Sequence, residues 1–184
     1  MVPEARMEEA PGGKIPAGEG WFVVNAREAQ WIHNEKFGAG VTFEGSRGLG
    51  IDTRFPQLGI NIQVMWPGQA NGYYHAEEGQ EDFLVLSGEC LLLIEGEERR
   101  LKAWDFLHCP PWTKHVFVGS GDGPCVFVGV GARHPGDGIV YPVSELALRH
   151  GAGLAEEAAS GEVAYAGAPK TKPGPCPAGL LPGT

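Results

Sequence analysis

The glycine and proline content constrains this chain more than any other feature. There are 29 glycines and 15 prolines among its 184 residues. Both residues disrupt helices, glycine through its conformational entropy and proline through its missing amide hydrogen. A helical bundle is therefore disfavoured, and short strands joined by tight turns are favoured. Hydrophobic residues make up 42% of the chain, which is enough to form a core.

The charge balance argues against nucleic acid as a partner. The chain has 14 basic and 23 acidic residues, a formal net charge of −9, and no basic cluster. No apolar run approaches the length of a membrane span, and the N-terminus lacks the basic-then-apolar order of a secretory signal. We therefore expect a cytoplasmic protein without a membrane partner. The 4 cysteines have no C-x-x-C spacing, and we expect them to be buried free thiols.

Turn signals divide the chain into four parts. Residues 21–140 alternate short apolar runs with turns, a pattern typical of an antiparallel β-barrel or a two-sheet sandwich. Residues 1–20 and 166–184 are rich in proline and glycine and are predicted to be extended tails. Between the barrel and the second tail, residues 141–165 are predicted to form short helices that pack on the barrel.

Two details of the strand pattern give specific expectations. In the run Gly59–Trp66, apolar residues alternate with Asn61 and Gln63, so these two side chains are expected to face away from the barrel pocket. The dipeptide Ser87-Gly88 separates two apolar runs and is predicted to form a hairpin turn.

Four polar side chains could form one metal site. His75 and Glu77 are two residues apart and point to the same face of a strand. Glu81 and His115 each begin a further strand, and in an antiparallel barrel all of these side chains can converge on one interior point. Imidazole and carboxylate are ligands for Fe, Mn, Ni, Cu or Zn, and two histidines with one carboxylate leave coordination positions open. The alternative is that these histidines are ordinary surface or core residues.

The same residues carry a resemblance to a known superfamily. His75, Glu81 and Gly88 fall at matching positions of the first cupin motif, G-x5-H-x-H-x3,4-E-x6-G, and Pro110 and His115 match the second, G-x5-P-x-G-x2-H-x3-N. The resemblance implies a cupin-type antiparallel β-barrel, or jelly roll, that binds a divalent transition metal. It also implies a small-molecule ligand and a homodimer.

The chain departs from the cupin motifs at several positions. Glu77 stands where the motif has its second histidine, Trp112 replaces the glycine of P-x-G, and Gly119 replaces the final asparagine. Glu77 is therefore either a fourth metal ligand, a proton-transferring base or part of the pocket wall.

A narrower resemblance concerns the run Y-H-A-E-E-G-Q-E, which is similar to the Y-H-x-E-E-G-E-E pattern of 3-hydroxyanthranilate 3,4-dioxygenases. It implies that His75, Glu81 and His115 hold the metal and that Glu77 is not a ligand. The substrate arginines of that family correspond to Asn71 and Gly119 here, so the same substrate is not expected.

The leading functional hypothesis is a metal-dependent, dioxygenase-like enzyme acting on a small organic molecule, although the enzyme assignment stays open. Glu77 and Tyr74 are the candidate proton-transferring residues. A metal-dependent isomerase or lyase is one alternative, and a non-catalytic binding or sensing barrel is the other. No role is predicted for the loop Arg133–Gly138.

Overall fold

The computed structural model describes residues 1–45, 54–133, 136 and 138–181. Most of the regular structure in these residues is β-strand. The elements are β1 (Arg6–Ala10), β2 (Gly13–Ala17), β3 (Trp31–Asn34), β4 (Gly38–Val41), β5 (Leu58–Met65), β6 (Ala76–Glu77), β7 (Glu81–Ser87), β8 (Glu89–Ile94), β9 (Glu97–Lys102), β10 (Phe106–Cys109), β11 (His115–Ser120), β12 (Cys125–Ala132), β13 (Ile139–Val140), α1 (Glu145–Arg149), α2 (Gly161–Ala164) and β14 (Lys172–Gly174).

Two antiparallel layers form the barrel. The larger sheet has seven strands in the order β10-β7-β12-β5-β4-β3-β14. The other layer contains the sheet β11-β8-β9 and the pair β13-β6, which meet where His75 forms an antiparallel bridge with His115. The predicted all-β jelly-roll fold is thus confirmed, and its helices are two short segments near the C-terminal end of the described chain.

An apolar core fills the barrel between the two layers. The rings of Phe83, Phe117 and Phe127 contact one another with centroids 4.8 to 5.9 Å apart. The buried members of this core are Met65, Phe83, Val85, Cys90, Leu92, Cys109, Phe117, Cys125 and Phe127. Its three cysteines are free thiols, as predicted. The rings of Phe83 and Phe117 also lie 5.3 and 6.0 Å from the ring of His115, so this core adjoins polar residues of the barrel interior.

The prediction for the faces of β5 is wrong. Met65 packs in the barrel core, and Gln63 and Asn61 share its face because they precede it by two and four residues. The alternating apolar residues instead belong to the opposite face, where Val64 packs with Trp31 outside the barrel. Segments from both ends of the chain cover this outer face, so the more apolar face of β5 is not the barrel interior.

Ser87-Gly88 does not form a hairpin. β7 pairs with β10 and β12, whereas β8 pairs with β9 and β11, so the chain crosses from one layer to the other at this point. Gly88 has φ of +74°, and a Cβ there would lie 2.2 Å from the carbonyl oxygen of Pro124. Glycine is required at this crossing because the backbones of two segments approach each other closely.

The terminal segments are more ordered than the sequence predicts. Within residues 1–20, β1 and β2 pair as an antiparallel hairpin. Near the other end, β14 pairs with β3 and becomes the last strand of the large sheet. Both segments add backbone hydrogen bonds that composition alone does not reveal. Among the described residues, no helix is long and apolar enough to cross a membrane.

Candidate metal centre

His75 and His115 lie side by side on neighbouring segments. The amide of each donates a hydrogen bond to the carbonyl oxygen of the other, at 3.2 Å from His75 and 2.9 Å from His115. This is the hydrogen-bonded pairing of antiparallel strands, which puts both side chains on the same face. Their ring centroids are 4.9 Å apart. The backbone register thus brings together two histidines that are far apart in sequence.

A backbone carbonyl orients each imidazole. His75 Nδ1 lies 2.7 Å from the oxygen of Tyr73, and His115 Nδ1 lies 3.0 Å from the oxygen of Thr113. Because a carbonyl oxygen only accepts, each Nδ1 carries a hydrogen, and in the neutral form of either ring the lone pair is on Nε2. Fixing the ring through Nδ1 is the usual way in which proteins prepare a histidine for metal binding through Nε2.

Glu81 completes the cluster from the opposite layer. It begins β7, and its Oε2 lies 3.5 Å from His115 Nε2. One ligand atom from each of His75, Glu81 and His115 lies within 4.8 Å of the other two. The sequence prediction that these three side chains converge therefore agrees with the geometry.

Burial in the cluster disfavours charge on its members. Burial, and secondarily the charge of Glu77, raises the pKa of Glu81 to about 8. Burial, and secondarily His75, lowers the pKa of His115 to about 4. A bound divalent cation would supply the missing opposite charge and favour the ionised carboxylate.

The donor set fits a transition metal. His115 is 1% exposed, and its Nε2 has no hydrogen-bond partner among the described residues. An unpartnered buried nitrogen costs free energy unless a ligand or an ion satisfies it. Two imidazole nitrogens and one carboxylate form the ligand set that non-haem iron and related metals use with open positions.

Glu77 and Tyr141 flank the cluster. Glu77 is half-buried, and its Oε1 lies 3.6 Å from His75 Nε2. The Tyr141 ring is 5.8 Å from that of His75. Burial first, then Tyr165 and Glu77, raises the pKa of Tyr141 above its ordinary value. Sequence reasoning missed Tyr141 because it lies outside both cupin motifs, and β13 brings it to the site by pairing with β6.

The structure does not bring Tyr74 to the cluster. Tyr74 alternates with His75 along the chain, so its side chain lies on the outer face and packs with Leu93, Val116 and Ala147 of α1. Burial raises the pKa of the Tyr74 side chain, and a hydrogen bond with the Gly96 backbone opposes this rise. The predicted proton-transferring role of Tyr74 therefore has no geometric support.

A cavity of about 350 Å³ adjoins the cluster through Glu81. Glu77 and Glu81 form part of its wall, and Asn61, Arg54 and Arg133 contribute further polar groups. The last three were not predicted as site residues. Asn61 was assigned to the wrong face of β5, and Arg133 was read as part of a loop without a role. The signal that could have found Arg133 is its position two and four residues after Gly131 and Gly129, because the Arg133 amide donates to Gln57 O and so continues the pairing one residue beyond the end of β12.

A larger cavity of about 580 Å³ lies along β3, β4 and β5 and is covered by residues 168–171. It shares Asn61 with the first cavity but includes none of the three clustered ligands. The smaller cavity is therefore the one joined to the candidate metal centre.

Comparison with known proteins connects these observations to a family. Residues 61–131 match a family model described as a cupin domain. A curated relative, 5-nitrosalicylic acid 1,2-dioxygenase from Bradyrhizobium sp, is 31% identical over 91 residues, which make up 50% of this chain and 40% of that protein. The chain thus matches less than half the length of this relative.

Solved structures align over part of the chain. A putative sugar phosphate isomerase from Acidithiobacillus ferrooxidans aligns with a TM-score of 0.44 and 26% identity, covering 55% of this chain and 63% of that one. A cupin protein from Bacteroides fragilis aligns with a TM-score of 0.41 and 24% identity, covering 43% of this chain and 68% of that one.

Proposed function

We propose that this chain, whose residues 61–131 match the cupin domain family, is a metal-dependent enzyme with dioxygenase-like chemistry on a small organic molecule. The observation that carries the proposal is the cluster of His75, Glu81 and His115, whose ligand atoms lie within 4.8 Å of one another beside an open cavity. The partial similarity to a dioxygenase supports the reaction class.

In this proposal His75, Glu81 and His115 hold a divalent ion of Fe, Mn, Ni, Cu or Zn. When bound, the metal supplies Lewis-acid chemistry and, for a redox-active ion, electron transfer at its open positions. The two backbone carbonyls at Tyr73 and Thr113 keep both Nε2 atoms aimed at the ion. The apolar core behind the cluster excludes water from that side.

Glu77 is the proposed proton-transferring residue. It lies outside the three-ligand cluster, lines the cavity, and has an oxygen 3.6 Å from His75 Nε2. A carboxylate at this distance from the ligands can accept a proton from a substrate held in the cavity and return it to the product. Tyr141, whose phenol is kept protonated by burial, is a second proton donor close to Glu77.

Metal analysis with matched variants tests the metal centre. Wild-type protein, His75→Ala and His108→Ala are purified in parallel and analysed for metal content per chain. His108 is exposed, pairs with Asp82 and lies outside the cluster, so it controls for the loss of any histidine. We expect about one ion per chain in the wild type and in His108→Ala, and loss of the ion in His75→Ala.

Oxygen consumption tests the reaction class. The Fe(II)-loaded wild type is mixed with a panel of small phenols and organic acids, and dissolved oxygen is followed. Consumption that needs both metal and substrate supports a dioxygenase. A stoichiometric ion with no oxygen consumption, combined with isomerised or cleaved product, would replace this proposal with the isomerase or lyase alternative. A wild type that binds no metal on reconstitution would contradict the enzyme proposal and would leave the non-catalytic binding or sensing barrel as the remaining hypothesis.

A homodimer is the proposed assembly. Trp104 and Phe106 are 74% and 64% exposed, and Phe106 begins β10, an edge strand of the large sheet. Exposed aromatic groups at an open sheet edge favour association. Light scattering after size exclusion should give twice the chain mass for the wild type, and a monomer for Phe106→Glu. A monomeric wild type would contradict the proposal.

The cytoplasmic location of the protein stays a prediction.

A further inference from the structure

The segment that leads to His75 is held by β11 at two of its backbone amides. The amide of Asn71 donates to the carbonyl oxygen of Phe117 at 3.0 Å, and the amide of His75 donates to that of His115 at 3.2 Å. The chain between these two points needs other partners, because a buried backbone amide without one costs free energy. Two of the intervening amides find their partners in residues 141–165.

The first of these partners fixes the peptide unit that orients His75. The carbonyl oxygen of Tyr73 lies 2.7 Å from His75 Nδ1, and the amide of the same peptide unit belongs to Tyr74. This amide donates to Ala152 O at 2.8 Å. Hydrogen bonds in series polarise one another, so the bond to Ala152 strengthens Tyr73 O as an acceptor.

The second partner is the hydroxyl of Tyr165. The amide of Tyr73 donates to Tyr165 Oη at 3.1 Å. This amide lies in the peptide unit that precedes the one orienting His75, so both peptide units that flank Tyr73 are bonded to the segment after the barrel. Ala152 contributes through its backbone and Tyr165 through its side chain, so the second contact depends on the type of residue.

Local structure directs Tyr165 to this amide. Ser160 caps α2, and the helix ends at Tyr165, whose own amide donates to Gly161 O at 2.9 Å. The Tyr165 ring packs against aromatic neighbours, with centroid distances of 5.0 Å to Tyr73 and 5.8 Å to Tyr141. Because these contacts fix the ring, they also fix the position of its hydroxyl.

Gly72 is fitted to the same hydroxyl. It is buried, and a Cβ there would lie 2.7 Å from Tyr165 Oη, closer than real Cβ contacts. Apart from the chain neighbours of Gly72, no other heavy atom of the described residues lies within 4 Å of that position. A single oxygen atom therefore excludes a side chain from position 72, next to the amide whose hydrogen bond it accepts.

We infer that Tyr165 is a positioning residue for the metal ligand His75. Its hydroxyl fixes the backbone before Tyr73, so that Tyr73 O holds the imidazole with Nε2 toward the metal site. The inference rests on the proposed function, to which it adds a residue outside the matched range 61–131. Metal affinity is thereby coupled to the packing of α2 on the barrel.

Hydrogen exchange at the tyrosine amides tests the contact in the metal-free chain. The 4 tyrosines are labelled selectively with ¹⁵N; Tyr73 donates to a hydroxyl, and the other three donate to backbone carbonyls. Tyr165→Phe should speed exchange at Tyr73 at least about tenfold and leave exchange at Tyr74 and Tyr141 unchanged. Unchanged exchange at Tyr73, or faster exchange at all three amides, would overturn the inference.

Cobalt binding tests the effect on the metal ligand. The visible absorption of Co²⁺ reports the geometry of its ligands, and competition with a chelator gives its affinity. Tyr165→Phe should bind Co²⁺ about tenfold more weakly than the wild type and with a shifted spectrum, because His75 loses part of its support. A purely structural role of Tyr165 would lower the melting temperature and leave the spectrum unchanged, which would contradict the inference.

Tyr74→Phe is the matched control. It removes another tyrosine hydroxyl, one that bonds to the Gly96 backbone, and the Tyr74 side chain packs away from the metal cluster. This variant should bind Co²⁺ with the affinity and spectrum of the wild type. Equal changes in Tyr74→Phe and Tyr165→Phe would overturn the specific role of Tyr165.

A double variant tests the contact between Gly72 and Tyr165. Gly72→Ala should weaken Co²⁺ binding, because its methyl group displaces the Tyr165 ring. Adding Tyr165→Phe should bring the affinity back to that of Tyr165→Phe alone, because the oxygen that the methyl group meets is then gone. Losses of affinity that simply add in the double variant would show that the two positions act independently and would contradict the inference.

The outcomes separate this inference from the metal proposal. Stoichiometric Co²⁺ with the same affinity and spectrum in the wild type and in Tyr165→Phe would overturn the inference and leave the metal centre standing. A wild type that binds no metal would overturn the metal centre and with it the role of Tyr165 toward a ligand, whatever hydrogen exchange shows at Tyr73.

Discussion

Trp112 occupies a backbone conformation that favours glycine. It has φ of +66° and is the third residue of a turn in which Thr113 N donates to Pro110 O at 3.2 Å. With proline second and a positive φ third, this is the arrangement of a type II turn, whose third position prefers glycine. Cupin motifs have glycine at this place. The Trp112 amide also donates to Glu77 O at 2.7 Å, so the turn is tied to the strand that carries the site.

The strain at Trp112 is measurable by comparing two small residues at this position. Trp112→Gly and Trp112→Ala both remove the half-exposed ring, but only glycine adopts the positive φ without strain. We therefore expect Trp112→Gly to be more stable than Trp112→Ala by about 1 kcal/mol. Urea unfolding of both variants gives the difference. Equal midpoints would mean that the turn does not hold position 112 at positive φ.

Metal affinity should depend on pH through Glu81. Because the pKa of Glu81 is raised to about 8, the metal-free protein carries a proton there at neutral pH, and metal binding must release it. His115, with a pKa lowered to about 4, is already neutral and releases nothing in this range. We expect Mn²⁺ affinity to rise up to about tenfold per pH unit between pH 6 and 8 and then to level off.

Competition with a fluorescent chelator at several pH values measures this dependence. Glu77→Gln is the informative variant, because the charge of Glu77 contributes to the raised pKa of Glu81. Its affinity should level off at a lower pH than that of the wild type. An affinity independent of pH over this range would show that Glu81 is already ionised or is not a ligand.

At the scale of elements, the C-terminal segment covers the outer face of the large sheet. β14 pairs with β3, and Leu180 and Leu181 pack against the cluster around the fully buried Trp31. Two side chains of β3 also form hydrogen bonds with backbone carbonyls of this segment. His33 Nε2 lies 2.8 Å from Pro175 O, and Asn34 Nδ2 lies 2.7 Å from Pro169 O. The segment is therefore part of the folded domain.

Truncation tests this role of the segment. A chain that ends at Pro169 loses the strand pairing and uncovers apolar surface, so its free energy of unfolding should fall by at least about 2 kcal/mol. A chain that ends at Leu181 loses no contact that the structure describes and serves as the control. Chemical denaturation measures both. Equal stability of the two truncated chains would show that β14 and the two leucines do not contribute to folding.

At the scale of the whole molecule, the metal centre joins the two layers of the barrel. His75 and His115 belong to one layer and Glu81 to the other, so an ion that binds all three residues links the layers. Binding to the folded state alone stabilises it by about 2.7 kcal/mol when the free ion is at one hundred times its dissociation constant. Metal removal should therefore lower the melting temperature of the domain.

Scanning calorimetry before and after dialysis against EDTA measures this effect. The wild type should melt at a lower temperature after dialysis and recover on addition of Mn²⁺. Glu81→Gln, which keeps the size of the side chain and removes the anionic ligand, should show little response to either treatment. A wild type whose melting temperature is unaffected by both treatments would contradict an ion that links the layers.

The sequence by itself determined the local features of this protein. The apolar runs predict strands over Glu89–Ile94 and Phe106–Cys109, and β8 and β10 have the same bounds, because alternation and turn residues act over a few neighbouring positions. The spacing of the motifs also singled out His75, Glu81 and His115, whose ligand atoms the fold brings together.

Only the tertiary structure decided which face of each strand became the interior. Alternation along β5 separates Asn61 from its apolar neighbours, but whether that face lines the cavity depends on where the opposite layer lies and on the terminal segments that cover the other face. Likewise, pairing with β6 brings β13 and therefore Tyr141 to the cluster, and the pairing of β12 with β5 brings Arg133, the residue that follows β12, to the cavity. Contacts between distant parts of the chain have no local signal, since they arise only when the layers pack together.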